Sequence, residues 1–219
     1  MKRFSKDEEN VKEKDSETES IELAALLAGP KQPELRLTGI YGDVTEDKCS
    51  EAVYGLLAYH HTGQNTEPVD PGDPDSDLIT TYEPIDFIIS THGGQASEMF
   101  AVYDAMRNIR DKTPIHTMGL GKVMSAGVLL LAAGTKGQRK IGSTCRVMIH
   151  GVVAGQQGYI SDMQNEFSET KYIQKMYIKS LAKETNMEEK YVRRLMNKKT
   201  NVYLDAEEAV KLGIADIIF

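Results

Sequence analysis

Two residues of this chain could do nucleophilic chemistry together: Ser125 in GKVMSAG and His150 at the end of RVMIH. The serine stands between a glycine-containing turn and an apolar run. That places it at the mouth of a helix, where free N–H groups and the helix dipole favour a developing negative charge. Period-two alternation puts Arg146, Met148 and His150 on one face of a short strand, which delivers an imidazole at its end. Each has a plainer reading by itself, because serine is a favoured N-cap and a lone histidine is more often structural. As a pair they describe a nucleophile and its base. Two glycine turns, His92-Gly93-Gly94 and Gly119-Leu120-Gly121, follow consecutive predicted strands. They let backbone N–H groups approach a reacting carbonyl without a Cβ in the way.

Other chemistries fit less well. Gly121-Lys122 is followed by Val123 and lacks the upstream glycine of a phosphate-binding loop, and Gly119-Leu120-Gly121 lacks the third glycine of a dinucleotide fingerprint. The α/β-hydrolase elbow requires glycine two residues before its serine, where this chain has Val123. Cys145 lies an odd number of positions from His150 along the strand and is expected to face away from it. His60-His61 is an adjacent pair near a loop; neighbours seldom chelate one metal, so these are read as exposed side chains and no metal site is expected.

The elements that must position Ser125 and His150 repeat as strand, turn and helix. ELRLTGIYGDV reads as a strand with a turn at Gly42-Asp43, and residues 50–59 return to helical spacing. IDFIIS is a short apolar strand, and 96–109 is a helix on Met99, Val102, Tyr103 and Met106. PIHTMGLG gives a strand and turn, SAGVLLLAAG a buried helix ending at Gly134, and CRVMIHGVV the next strand. After the glycine-bearing GQQGYIS, a long amphipathic helix covers about 161–183, with Met163, Phe167, Ile173, Met176 and Tyr177 on its apolar side. Thr185 and Glu188 have capping-box spacing ahead of YVRRLM; Asp205 starts and Gly213 ends AEEAVKLG, and ADIIF closes the chain as a strand. The repetition predicts an α/β domain with mostly parallel strands.

Composition bounds the remainder. A chain of 219 residues, 40% hydrophobic, suits one sizeable domain over 21–219. Residues 1–20 are a mixed-charge run with too little apolar content to order, read as a disordered tail or removable leader; without an apolar segment they are no standard secretion signal. Residues 61–77, HTGQNTEPVDPGDPDSD, read as an exposed acidic loop insertion. A net charge of -7 argues against a nucleic-acid footprint, and the apolar patch near 128–133 is too short to span a bilayer. Cys49 and Cys145 form no metal or disulfide-framework spacing, so a cytoplasmic setting is expected.

The stretch GKVMSAGVLLLAAGTKGQRKIGSTCRVMIHGVVAGQQGYISDM resembles the nucleophile helix, following strand and handle region of the ClpP-type serine peptidases, with a matching distance from Ser125 to His150. Upstream, IDFIISTHGGQASEMFAVYDAMRNI resembles that family's oxyanion strand and helix. The resemblance runs from about Leu35 to Phe219, interrupted by 61–77. It implies a crotonase/ClpP-like fold with a protruding handle helix. The implied activity is a serine endopeptidase subunit in a self-compartmentalising barrel, a homo-oligomer of stacked heptameric rings that hydrolyses unfolded polypeptides. No cofactor is implied, ATP entering only through a separate Clp-type ATPase.

By the same resemblance Ser125 is the nucleophile, His150 the general base, and the amides of Gly94 and Ala126 the oxyanion hole. KKTNVYLDAEEAV resembles the family's ERDRFLSAPEAV, with Asn201 in place of the triad aspartate. An amide offers only a neutral oxygen to the imidazole, so a Ser-His-Asn arrangement implies weakened activity. Thr91-His92 replaces Ser-Pro, Gly151-Val152 replaces Gln-Pro, and Thr200 stands where an arginine commonly links rings. Asp86 and Ile88 occupy positions where the family often shows tyrosines lining the ATPase docking pocket. The long helix and GQQGYIS, read as a strand, are expected to build the contact between rings. Two other readings are a non-catalytic subunit that modulates an active ClpP paralogue, and an acyl-CoA enzyme of the wider crotonase-like group.

Overall fold

A computed structural model of the chain describes residues 35–219 apart from 74 and 199. The charged tail at 1–20 lies outside the described residues, as does IELAALLAG, a run whose spacing predicts a short helix ending at Gly29 and Pro30. In chain order the elements are β1 (Leu37–Tyr41), α1 (Glu46–Thr62), β2 (Gln64–Pro68), β3 (Leu78–Tyr82), β4 (Ile85–Thr91), α2 (Ala96–Ile109), β5 (Ile115–Met124) and α3 (Ala126–Ala132). They continue with β6 (Lys140–Ile141), β7 (Arg146–Ile149), α4 (Ile160–Glu184), α5 (Glu189–Met196), β8 (Val202–Leu204), α6 (Ala206–Lys211) and β9 (Ile217–Ile218).

The predicted α/β architecture is present. β1, β4, β5, β6 and β9 lie side by side in that order, each pair parallel. β5 also pairs in parallel with β7, and β7 pairs antiparallel with β8. β4 alternates along IDFIIST: Ile85, Phe87 and Ile89 are fully buried on one face, while Asp86 on the other is exposed. α3 is apolar all round, and all seven of its residues are buried. Burying each leucine of Leu129–Leu131 contributes about 1.5–3 kcal/mol, enough to fix this short helix against β5, α2 and α4.

Several expectations need correction. Gly119-Leu120-Gly121 is not a turn, because β5 continues through it to Met124. Between the pairs Ile89↔Gly119 and Thr91↔Val123, β4 advances two residues and β5 four, so the irregularity is a bulge in a continuous strand. That bulge re-aims the end of β5, which then pairs with β7. The expected loop at 61–77 is largely one arm and the tip of an exposed antiparallel hairpin, β2–β3, with Thr66 and Thr80 hydroxyls 3.1 Å apart across it. GQQGYIS forms no strand: 151–157 carries no regular structure, and its glycines disfavour a ladder. Thr185 caps nothing ahead of α5; its hydroxyl donates to Leu181 O (2.6 Å) at the end of α4. The working capping box is Asp205 with Glu208.

One cation gathers several helix ends. Arg139 Nη1 donates to the carbonyl oxygens of Ala132 (3.2 Å), Glu184 (2.8 Å) and Gly213 (2.8 Å), while its Nε donates to Asp216 (2.8 Å). The buried Glu184 carboxylate accepts from Tyr103 (2.9 Å) and Arg110 (2.8 Å), which locks the C-terminal end of α4 to α2. Burial of a charge is tolerated there because partners surround it.

Candidate active site

Ser125 follows the last residue of β5 and precedes α3, with φ 52° and ψ -117°. Among the described residues it is the one non-glycine with positive φ. Such a backbone costs on the order of 1–3 kcal/mol and persists only where its surroundings impose it. They do so here: Ser125 N donates to Met148 O (2.8 Å), and Ser125 O accepts from Val128 N (3.0 Å) and the Tyr177 hydroxyl (2.9 Å). The plain N-cap reading fails, because the serine side chain makes no capping hydrogen bond. Its Oγ is left for another use.

The turn after β4 is built around this serine. Gly93 has φ 104°, and a Cβ there would stand 2.6 Å from Ser125 Cβ. Only glycine allows so close an approach. Gly94 is held by a parallel bridge to Val44, in which Val44 N donates to Gly93 O (2.9 Å) and Gln95 N to Val44 O (3.0 Å). Parallel pairing uses the groups flanking Gly94, so its own N–H is directed away from Val44. A Cβ on Gly94 would meet the Val44 backbone, with Val44 N at 2.8 Å. The fully buried Thr91 hydroxyl accepts from Gly93 N (2.9 Å) and fixes the turn from inside.

Ser125, His150, Gly94 and Ala126 line one cavity of about 300 Å³, together with His92, Gln95, Met99, Val152, Ile173 and others. The Ala126 N–H belongs to the first turn of α3, where amides have no intrahelical acceptor. His150 is half-buried just beyond β7. Asn201 is exposed, lies outside the cavity lining and directly precedes β8. The antiparallel register ends at Ile149↔Val202; carried one position further, it sets Asn201 opposite His150. The side-chain hydrogen bonds formed here run elsewhere, Tyr177 to Ser125 O and Val152 N to Gln174 (3.1 Å). Among the described residues none joins Ser125 Oγ, His150 and Asn201. Catalytic contacts often tighten only when substrate is bound.

Cys145 is buried, and that burial pushes its thiol up to about 11, which suits an inert core residue. His60 is half-buried rather than exposed: its ring stacks on Tyr82, and Nδ1 lies 2.7 Å from the Thr113 hydroxyl. No cluster able to hold a metal occurs among the described residues. Asp86 is exposed on β4 beside His116 (3.6 Å). Two positioning residues escaped the sequence reading. Tyr177 counted only as one of the apolar stripe, although a hydroxyl in such a stripe asks for a partner; Thr91 stood out only as a departure from the family's serine, not as the residue that fixes the turn.

In this α/β domain a positive-φ serine at a strand–helix corner, a histidine and the glycine turn after β4 thus line one cavity. Residues 77–219 match the Clp protease family model. The chain is 36% identical over 148 residues to ATP-dependent Clp protease proteolytic subunit 2 of Corynebacterium jeikeium, covering 67% of this chain and 66% of that protein. It is 35% identical over 148 residues to subunit 1 of Corynebacterium diphtheriae, with the same coverage. Subunit 1 of Prochlorococcus marinus subsp. pastoris is 30% identical over 175 residues, covering 80% of this chain and 79% of the relative. This chain belongs to the Clp protease family, and it spans just under two thirds of the length of the two corynebacterial relatives.

Proposed function

We propose that the chain is a serine endopeptidase subunit of a self-compartmentalising barrel. Ser125 Oγ attacks the peptide carbonyl carbon as His150 takes its proton, and the amides of Gly94 and Ala126 receive the oxyanion. The C–N bond then breaks, His150 returns the proton to the leaving amine, and water releases the acyl group by the same steps. Asn201 orients the imidazole through its carbonyl oxygen, with a turnover below that of a carboxylate triad because an amide does not stabilise the imidazolium by charge. The observation that carries this reading is the positive φ of Ser125, whose side chain makes no capping hydrogen bond and which lines the same cavity as His150.

Exposed apolar side chains support the assembly. Val153, Tyr159, Ile160, Phe167 and Tyr172, on the segment before α4 and along α4, stand in water in the single chain. Such a row marks a surface for association, and we assign it to copies of the chain in stacked heptameric rings. Polypeptides are the substrates, and the subunit needs no cofactor of its own. ATP acts only through a separate Clp-type ATPase, in keeping with the relatives' description as ATP-dependent. The setting is cytoplasmic, without nucleic acid or membrane partners, a reading supported by the two buried free cysteines and the net charge of -7.

A second reading, a non-catalytic subunit paired with an active ClpP paralogue, is favoured by the position of Asn201 outside the cavity lining. A fluorophosphonate separates the two. Labelling of the assembled protein that disappears in Ser125→Ala supports the peptidase. An unlabelled Ser125 in a folded assembly overturns it and leaves the non-catalytic subunit.

A further inference from the structure

The cavity holds one ionisable side chain that the reaction above does not employ. His150 serves as base, and the Tyr177 hydroxyl is committed to Ser125 O. His92 lines the same cavity, is exposed, and immediately precedes the Gly93-Gly94 turn. That turn is held by the buried Thr91 hydroxyl and by the bridge to Val44, so His92 projects from a fixed backbone. Met99, Val152, Val153, Ile173 and Met196 make much of the wall apolar, and no carboxylate lines it.

We infer that His92 is a specificity residue that selects peptides carrying a carboxylate side chain close to the scissile bond, an inference that rests on the peptidase reading. An imidazole N–H seeks an acceptor, and a charged acceptor makes a hydrogen bond roughly twice as strong as a neutral one. Among the described residues no carboxylate lines the cavity to compete for His92 or to repel the substrate's own. Apolar walls discriminate poorly among side chains of similar size, whereas a polar group that must be matched discriminates well. A proline at this position, as in the resembling family, would have no such donor.

The test uses the full chain carrying Ser125→Ala, which binds without turnover, and two fluorescein-labelled peptides that differ by a single Glu or Gln. Anisotropy should show the Glu peptide bound about fivefold more tightly. His92→Pro should abolish that ratio and His92→Lys should keep it; His92→Ala makes the same removal without restricting the backbone. Equal binding of the two peptides, a preference that survives His92→Ala, or no binding of either would overturn the assignment. Fluorophosphonate labelling of the native protein tests the nucleophile separately. Labelling without the Glu preference sinks His92 alone, and the preference without labelling sinks the nucleophile alone.

Discussion

The Tyr177 hydroxyl donates to the carbonyl oxygen of Ser125 at 2.9 Å, tying the long helix α4 to the strand–helix corner that bears this serine. Burial pushes this hydroxyl well above its ordinary pKa, so it remains a donor across the working range. Tyr177→Phe removes one of the two donors to Ser125 O and leaves Val128 N. Its expected cost is about 1 kcal/mol in a denaturant titration, with fluorophosphonate labelling of Ser125 slowed severalfold. Unchanged labelling would mean that the tether serves stability alone.

Gly93→Ala combines a positive φ with a Cβ 2.6 Å from that of Ser125. The turn must move, at a cost of about 1–3 kcal/mol. Labelling should fall more than the folded fraction does, which circular dichroism on the same samples would reveal.

Asn201→Asp should raise peptide turnover, since a carboxylate opposite His150 would both fix the tautomer and stabilise the cation. Rates measured on assembled protein decide the point. No gain, with the assembly intact, would remove Asn201 from the site.

Burial alone would raise the Asp216 carboxyl, but hydrogen bonds and charge from Arg139 outweigh it and hold the group below its ordinary value. A depressed carboxylate contributes stability that is fully present above the unfolded value and lost as pH falls through the folded one. The denaturation midpoint should therefore hold steady above about pH 5 and decline below about pH 4. Asp216→Asn should be less stable at neutral pH and show a shallower acid decline. An identical acid profile would show that the pair contributes nothing.

Much of the architecture was legible because period and punctuation agreed. The helix at 96–109 is α2, the long helix about 161–183 is α4 within a residue at each end, and the apolar runs became buried strands. The turn expected at Gly119-Leu120-Gly121 misled because two glycines mark a bulge as readily as a chain reversal, and the choice depends on the neighbouring β7. In the hairpin at 64–82, proline and aspartate masked β-branched residues that pair across strands. Ser125, His150, Gly94 and Ala126 do meet in one cavity. The strain at Ser125 was not readable, since a backbone angle is imposed by tertiary neighbours such as Met148 and Tyr177.

Arg139 lies beyond the far end of α3 from Ser125, yet the same guanidinium closes α3, α4 and the turn after α6. A single codon change there would loosen the Ser125 corner, a 25-residue rod and the last turn of the chain together. A fault at the Ser125 corner can thus originate far from the cavity, at a knot where three separate spans of backbone share one positive charge.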